Sequence, residues 1–218
     1  MAPATLIISS RNYSSWSLRG WLLARMSGLA FTVQTTEVDD AAARAELLLR
    51  SSSILVPCLI HEGISVWDTL AIAEYLNEVK PEAGMFPAGR EARARCRSIS
   101  GEMHSGFSAL RSALPMNLRA RRSGFTIWSS AREDIARISA IWAECLTRWD
   151  GPYLFGPRRS VADAMFAPVI TRFRTYDVGL DTACEAYAKA IERWSDLREW
   201  TAAALEEPAE IEELDLDF

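Results

Sequence analysis

Ser14, Ser15, Ser17 and Arg19 stand between a short apolar run, Ala4–Ile8, and a longer one that begins at Gly20–Trp21–Leu22. Three hydroxyls and a guanidinium therefore gather at a strand-to-helix turn, where backbone N–H groups have no partner inside the helix. That combination suits an anionic or thiolate-bearing ligand. No His/Asp pair stands at a triad-like spacing and no Gly-x-Ser-x-Gly elbow is present, so Ser14 is suited to donate a hydrogen bond rather than to attack a carbonyl. A thiol with an ordinary pKa of about 8.5 is mostly protonated at neutrality. A serine O–H and a helix N-terminus aimed at its sulfur favour the thiolate. A serine ahead of a helix is also an ordinary N-cap, and that plainer role stands beside the chemical one.

Trp67–Asp68–Thr69 opens a second helical run. Thr69 and nearby N–H groups can hold a carboxylate while Asp68 accepts from an ammonium, so one amino-acid zwitterion satisfies both; a simple cap is the competing role. His61 falls in a turn and reads as solvated or structural. His104, the other histidine, faces either the interior between two domains or solvent. Arg111 and Arg119 could hold an anionic co-substrate, and serve equally well in structural ion pairs. Trp21, Trp128, Trp142 and Trp149 read as core. Neither histidine joins the scattered cysteines at metal-ligand spacing, so no metal is expected.

The elements that must position these residues divide into two regions. Residues 1–80 alternate strand and helix signals: Thr5–Ser9, a helix over Leu18–Met26 stopped by Gly28, a strand over Phe31–Val38, and a helix over Ala41–Leu49. A strand around Leu55–Ile60 follows, then a turn at His61–Gly63, a strand at Ser65–Trp67 and a helix from Asp68. Pro57 belongs at a strand end, an edge or a special turn. Residues 81–89, with Pro81, Gly84, Pro87 and Gly89, read as a linker. In residues 90–218 the strand signal largely disappears. Ala92, Cys96, Ile99, Met103, Phe107, Leu110 and Leu114 predict one long helix ended by Pro115. Capping boxes are predicted at Ser130/Glu133 and Ser160/Asp163, and one last helix runs through Tyr187, Ile191, Trp194 and Leu197. Beyond Pro208 the chain is too acidic to pack firmly.

The formal charge is −5, and 22 of the 24 basic residues are arginine. The acidic balance and the lack of a recognition motif argue against nucleic acid. No apolar stretch approaches membrane-spanning length, and no export leader is evident, so no membrane partner is expected. Four scattered cysteines without a C-x-x-C pair suit a reducing cytoplasm.

At these residues the chain resembles the cytosolic glutathione S-transferase family across nearly all of residues 4–205. Ser14–Ser15–Trp16–Ser17–Leu18–Arg19 is similar to the serine-type active-site turn of zeta- and tau-like members, and counting back from Arg19 puts their thiolate-stabilising serine at Ser14. Val56–Pro57 resembles the family's cis-proline motif, which pairs with the cysteinyl part of glutathione. Asp68–Thr69 stands where the family usually has Glu–Ser for the γ-glutamyl end. The resemblance implies an α/β thioredoxin-like N-terminal domain and an all-α C-terminal domain, the glutathione S-transferase fold. It also implies glutathione as co-substrate and a homodimer.

On that resemblance Ser14 is catalytic, Ser15, Val56, Pro57, Asp68 and Thr69 bind glutathione, and His104 and Arg111 contact the substrate, a small hydrophobic electrophile. Leu55 replaces a lysine often used for the glycyl carboxylate. Either binding is weakened, or that carboxylate uses backbone groups or the partner subunit. Conjugation, glutathione-dependent isomerisation and peroxide reduction all remain open, as does a non-enzymatic binding protein on the same fold. Thiol oxidoreduction at Cys58 is disfavoured by its apolar setting.

Overall fold

The first strand is apolar on both faces, and the fold buries both. β1 (Ala4–Ile8) sends Ala4, Leu6 and Ile8 into the main core, while Ile7 packs with Cys58 on the opposite face. In the computed structural model, which describes residues 4–36 and 55–207, β1 lies inside a four-stranded sheet of order β2–β1–β3–β4. β2 (Phe31–Thr35) runs parallel to β1, with Leu6 opposite Val33. β3 (Cys58–His61) is antiparallel to β1, with Leu6 opposite Leu59, and β4 (Ile64–Val66) is antiparallel to β3. The predicted helix Ala41–Leu49, the loop Ser51–Ile54, the end of the Phe31–Val38 strand and the tail beyond Pro208 lie outside the described residues.

Helix α1 (Ser15–Ser27) ends at Gly28, whose φ of 71° gives the left-handed cap expected there. α2 (Thr69–Val79) packs beside α1. After a 3₁₀ turn at Pro81–Ala83 come α3 (Arg90–Ser105), α4 (Ser108–Ala113), α5 (Ser129–Trp149), α6 (Val161–Thr175), α7 (Thr182–Glu192) and α8 (Ser195–Leu205). α6 is buried along most of its length and packs on both α3 and α1, so it joins the helical domain to the sheet domain. Its start carries the predicted capping box: Ser160 donates to Asp163 Oδ2 from N at 2.7 Å and from Oγ at 2.9 Å. Burial pushes the Asp163 carboxyl above its ordinary range, while bonds from Ser160 and Leu154 oppose the shift.

Four expectations are corrected. The single helix over Ala92–Leu114 is two helices, because Gly106 closes α3 and Phe107 adopts φ 60° before α4, burying its ring. The box at Ser130/Glu133 does not form: α5 begins at Ser129 with Trp128 as its cap residue, which places Ser130 inside the first turn. The last helix is likewise two, α7 and α8, broken at Arg193–Trp194. Trp128 is not core but 70% exposed.

Candidate active site

The turn after β1 is built on serine hydroxyls. Ser14 is the N-cap of α1: its Oγ accepts from Ser17 N at 3.2 Å and donates to Ser17 Oγ at 2.9 Å. Ser17 Oγ in turn accepts from Ser9 N at 3.0 Å, tying the helix start to the strand end. Upstream, Asn12 is fully buried. Its Nδ2 donates to Asn117 Oδ1 at 3.1 Å and its Oδ1 accepts from Leu118 N at 2.8 Å. Glu207, just past α8, accepts from Ser10 Oγ at 2.6 Å, Arg11 N at 3.0 Å and Asn12 N at 3.1 Å. The turn is thus held by the helical domain from two sides.

Trp16, in the first turn of α1, lines a cleft of about 380 Å³ together with Leu55, Val56, Pro57, Asp68, Thr69 and His104. The Val56–Pro57 peptide is cis, as is Trp67–Asp68. Pro57 is pressed onto α1 at Gly20, where a Cβ would fall 2.5 Å from Pro57 Cγ, so only glycine admits this approach. Asp68 caps α2, its Oδ1 accepting from Leu70 N at 2.9 Å. Its Oδ2 lies 3.1 Å from His104 Nε2, and Thr69 Oγ1 lies 3.4 Å from His104 Nδ1.

Trp16 is also where charge collects. The guanidiniums of Arg19 and Arg111 each lie 4.8 Å from its ring, and His104 meets it edge-on at 5.0 Å. Arg19 is fully buried and donates from Nε to Met165 O at 2.8 Å, while its two terminal nitrogens have no hydrogen-bond partner in the protein. Burial, then Arg111 and Arg172, hold its guanidinium well below the ordinary arginine range. Arg172 of α6 is pushed down to about 9 by burial and by Arg111. It donates to Leu114 O at 2.9 Å and to Ser15 Oγ at 3.2 Å.

The structure therefore brings Val56, Pro57, Asp68, Thr69 and His104 to one cleft. Ser14 caps the N-terminus of α1, whose Trp16 lines the cleft, but does not itself line it. Ser15 turns away toward Arg172 and is buried. Arg111 lies behind Trp16, donating to the carbonyls of Met103 and Gly106 that end α3. It also borders a second cavity of about 620 Å³ with Pro115, Arg122, Phe125, Trp128 and Tyr176. Arg119 is elsewhere, with Nε on Ala204 O at 3.1 Å. His61 contacts Tyr75 Oη at 2.8 Å. Cys58 is buried in the sheet.

Asn12, Trp16, Gly20 and Glu207 also shape the site, in roles that no local pattern assigns to them. Trp16 lies inside the serine motif and Gly20 directly follows it, whereas Asn12 and Glu207 act through contacts 105 and 195 residues distant. Among the described residues no group of histidine, cysteine and acidic side chains could hold a metal ion. No described helix is long and apolar enough to cross a membrane.

A small mixed sheet with a cis-proline loop, followed by a helical domain, defines a two-domain thioredoxin-like protein with a cleft at the seam. The family description "Glutathione S-transferase, N-terminal domain" matches residues 13–79, and "Glutathione S-transferase, C-terminal domain" matches residues 87–203. The chain belongs to the glutathione S-transferase family. Among curated relatives, the probable maleylacetoacetate isomerase of Caenorhabditis elegans is 22% identical over 170 residues, 78% of each chain. The maleylacetoacetate isomerase of Rattus norvegicus is 30% identical over 136 residues, 57% of this chain and 56% of that one. A glutathione transferase homolog from Burkholderia, solved with bound glutathione, superposes with a TM-score of 0.73 at 20% identity over 94% of this chain and 100% of that one. Glutathione S-transferase 1-6 from Anopheles dirus gives 0.73 at 16% identity, over 93% and 95%.

Proposed function

We propose that the protein is a serine-type glutathione transferase that activates the glutathione thiol for attack on a small hydrophobic electrophile. One observation carries this reading: the proline loop, the Asp68–Thr69 helix start and the head of α1 converge on a single cleft between the domains. The donor set fits the tripeptide. Asp68 accepts from the ligand ammonium, Thr69 faces its α-carboxylate, and Val56 backbone groups pair with the cysteinyl unit. Ser14, which lies at the head of α1 just outside the cleft wall, supports the thiolate of a cysteinyl unit that reaches the helix N-terminus. It turns its hydroxyl hydrogen from Ser17 Oγ to the sulfur, while its oxygen keeps the cap bond from Ser17 N. Residues 1–80 thus serve glutathione and residues 90–218 the electrophile, joined by residues 81–89. The second cavity, walled by Phe125, Trp128 and Tyr176, receives the electrophile beside Arg111.

Isomerisation is the second reading, favoured by the relatives that carry the name maleylacetoacetate isomerase. The same thiolate adds to an activated double bond and leaves again after rotation. The working form is a cytoplasmic homodimer, in keeping with four buried cysteine thiols.

Calorimetric titration with reduced glutathione tests the cleft, and turnover with an aryl halide and with maleylacetoacetate separates the two reactions. Saturable binding at one site per chain is expected, with Ser14→Ala lowering turnover about tenfold or more. Full turnover by Ser14→Ala removes Ser14 from this role. No binding at millimolar glutathione removes the reading altogether and leaves a non-enzymatic use of the fold.

A further inference from the structure

At the domain seam one face of α1 meets one face of α6. Ser15 and Arg19 stand four residues apart on α1, so their side chains are neighbours on that face. Both reach α6. Arg19 donates from Nε to Met165 O at 2.8 Å, and Ser15 Oγ accepts from Arg172 Nη2 at 3.2 Å. Every nitrogen of the Arg172 guanidinium has an acceptor: Leu114 O, Pro168 O or Ser15 Oγ. Arg19 differs. It is fully buried, yet its Nη1 and Nη2 have no hydrogen-bond partner in the protein. The Trp16 ring, 4.8 Å from the Arg19 guanidinium, offsets part of the charge but leaves those N–H groups unbonded.

We propose that the terminal edge of Arg19 is a halide site, which takes one chloride ion from solution and holds it with the Ser15 hydroxyl. An arginine keeps its proton inside a protein, so burial leaves a charge to be neutralised rather than lost. Among the described residues no carboxylate pairs with Arg19 or Arg172, and Asp134 faces Arg111. Burial, then Arg111 and Arg172, disfavour the Arg19 charge, and a counter-ion offsets both. The groups on offer are donors: Nη1–H, Nη2–H, and the O–H of a Ser15 whose oxygen already accepts from Arg172. A halide accepts from all of them and has no hydrogen of its own to place. A water molecule accepts as well, but it leaves the charge in place and needs acceptors for its own hydrogens. Arg19 and Ser15 are 0% and 5% exposed, which restricts the ligand to a monatomic ion and excludes sulfate, phosphate and organic acids.

The site stands apart from the glutathione reading and serves the fold. Ser15 and Arg19 come from the sheet domain, whereas Met165 and Arg172 belong to α6 of the helical domain. A halide at Arg19 therefore pins the seam, and the stability of the folded chain follows halide concentration by mass action. Arg111 does not share the ion, because its Nε and Nη2 already reach the carbonyls of Gly106 and Met103 at the end of α3. One bound halide leaves the seam positive, since Arg111 and Arg172 keep their charges.

Thermal unfolding of the full chain reads the site, with sodium chloride exchanged for sodium gluconate at constant ionic strength so that screening is unchanged. Raising chloride from about 10 to about 100 mM should lift Tm by about 3–6 °C, the mass-action gain for tenfold more ligand above its Kd. Arg19→Met keeps an unbranched side chain and removes the charge, and its Tm should not respond to chloride. Ser15→Ala removes one donor and should need about tenfold more chloride for the same rise. Crystals of the unaltered protein grown in sodium bromide should show an anomalous peak beside Arg19 Nη1 and Nη2, a result that stands even if Arg19→Met does not fold. Equal Tm in chloride and gluconate overturns the inference, as does a chloride response that survives in Arg19→Met. Bromide crystals with no peak at Arg19, or with a water molecule in its place, overturn it too. A bromide peak without any response of Tm is an adventitious ion only, and counts against the site. Glutathione titration is a separate measurement, so either inference can fail while the other stands.

Discussion

Replacing Glu207 by alanine should destabilise the protein and loosen the turn that carries Ser14. The carboxylate accepts three hydrogen bonds, from Ser10 Oγ, Arg11 N and Asn12 N. Bonds to a charged group each contribute about 1.5–3 kcal/mol when water cannot substitute. Glu207 is half-buried, so water reaches some of the vacated donors, and about 1 kcal/mol per bond is the better figure. The total is about 3 kcal/mol, a fall in Tm of about 6–12 °C for a chain of this size. Glu207→Gln keeps one acceptor oxygen and should lose about half as much. The neighbouring Glu206, exposed and without a side-chain bond to the turn, is the control. Thermal unfolding measures the loss, and amide exchange at Arg11 and Asn12 shows where it falls. If Glu207→Ala unfolds within about 1 kcal/mol of Glu206→Ala, or if exchange at those two amides is unchanged, the clamp does not hold the turn and the reasoning fails.

Three further outcomes are expected. Gly20→Ala places a Cβ 2.5 Å from Pro57 Cγ, so it should cost about 1–3 kcal/mol; calorimetry should also show weaker glutathione binding, and an unchanged affinity would separate Pro57 placement from the ligand. Burial pushes the thiols of Cys96, Cys145 and Cys184 up to about 12, 11 and 12, and Cys58 is fully buried; a disulfide reagent at pH 8 should label none of the four within minutes in the folded protein and all four in denaturant. Hydrogen bonding to Arg174 holds the Glu185 carboxyl below its ordinary value of 4.5, so its stabilisation is full above that pH and is lost as pH falls through the folded value. Glu185→Gln should therefore cost below about 1 kcal/mol at pH 7, since the pair is partly exposed, and nothing in strong acid, as denaturant unfolding at the two pH values will show.

Local chemistry made much of this protein legible in its sequence. Gly28 marked the end of α1 because only a residue tolerant of positive φ closes that helix cheaply. Ser160 and Asp163 announced α6 because both partners of the box lie within one turn. Asp68 and Ser14 were readable as helix starts for the same reason. The misread helix boundaries were failures of periodicity. The apolar stripe runs unbroken through Phe107 and Trp194, and the bends there depend on a left-handed Phe107 and on Trp194 donating to Asp196, neither of which alters the stripe. The site was legible as a set of residues but not as an arrangement. Nothing local indicates that Ser15 faces Arg172, that His104 reaches Asp68, or that an acidic residue at position 207 anchors the turn ahead of α1 rather than belonging to a solvated tail.

The seam between the domains collects positive charge near the cleft. Arg19, Arg111 and Arg172 come from α1, α4 and α6, and each is held below the ordinary arginine range chiefly by burial. Like charges this close raise one another's cost, and the protein groups that meet Arg19 and Arg172 are carbonyls, hydroxyls and a ring rather than carboxylates. Asp134 offsets only Arg111, and its own Oδ2 accepts from Leu110 N. A cluster left electropositive in this way lowers the free energy of any negative charge placed beside it, and the low-dielectric surroundings that make the cluster costly also strengthen that attraction. The guanidiniums of Arg19 and Arg111 each lie 4.8 Å from the ring of Trp16, which also lines the cleft. On the glutathione reading proposed above, thiolate formation and carboxylate binding in that cleft would be favoured by charges that neither ligand end needs to touch.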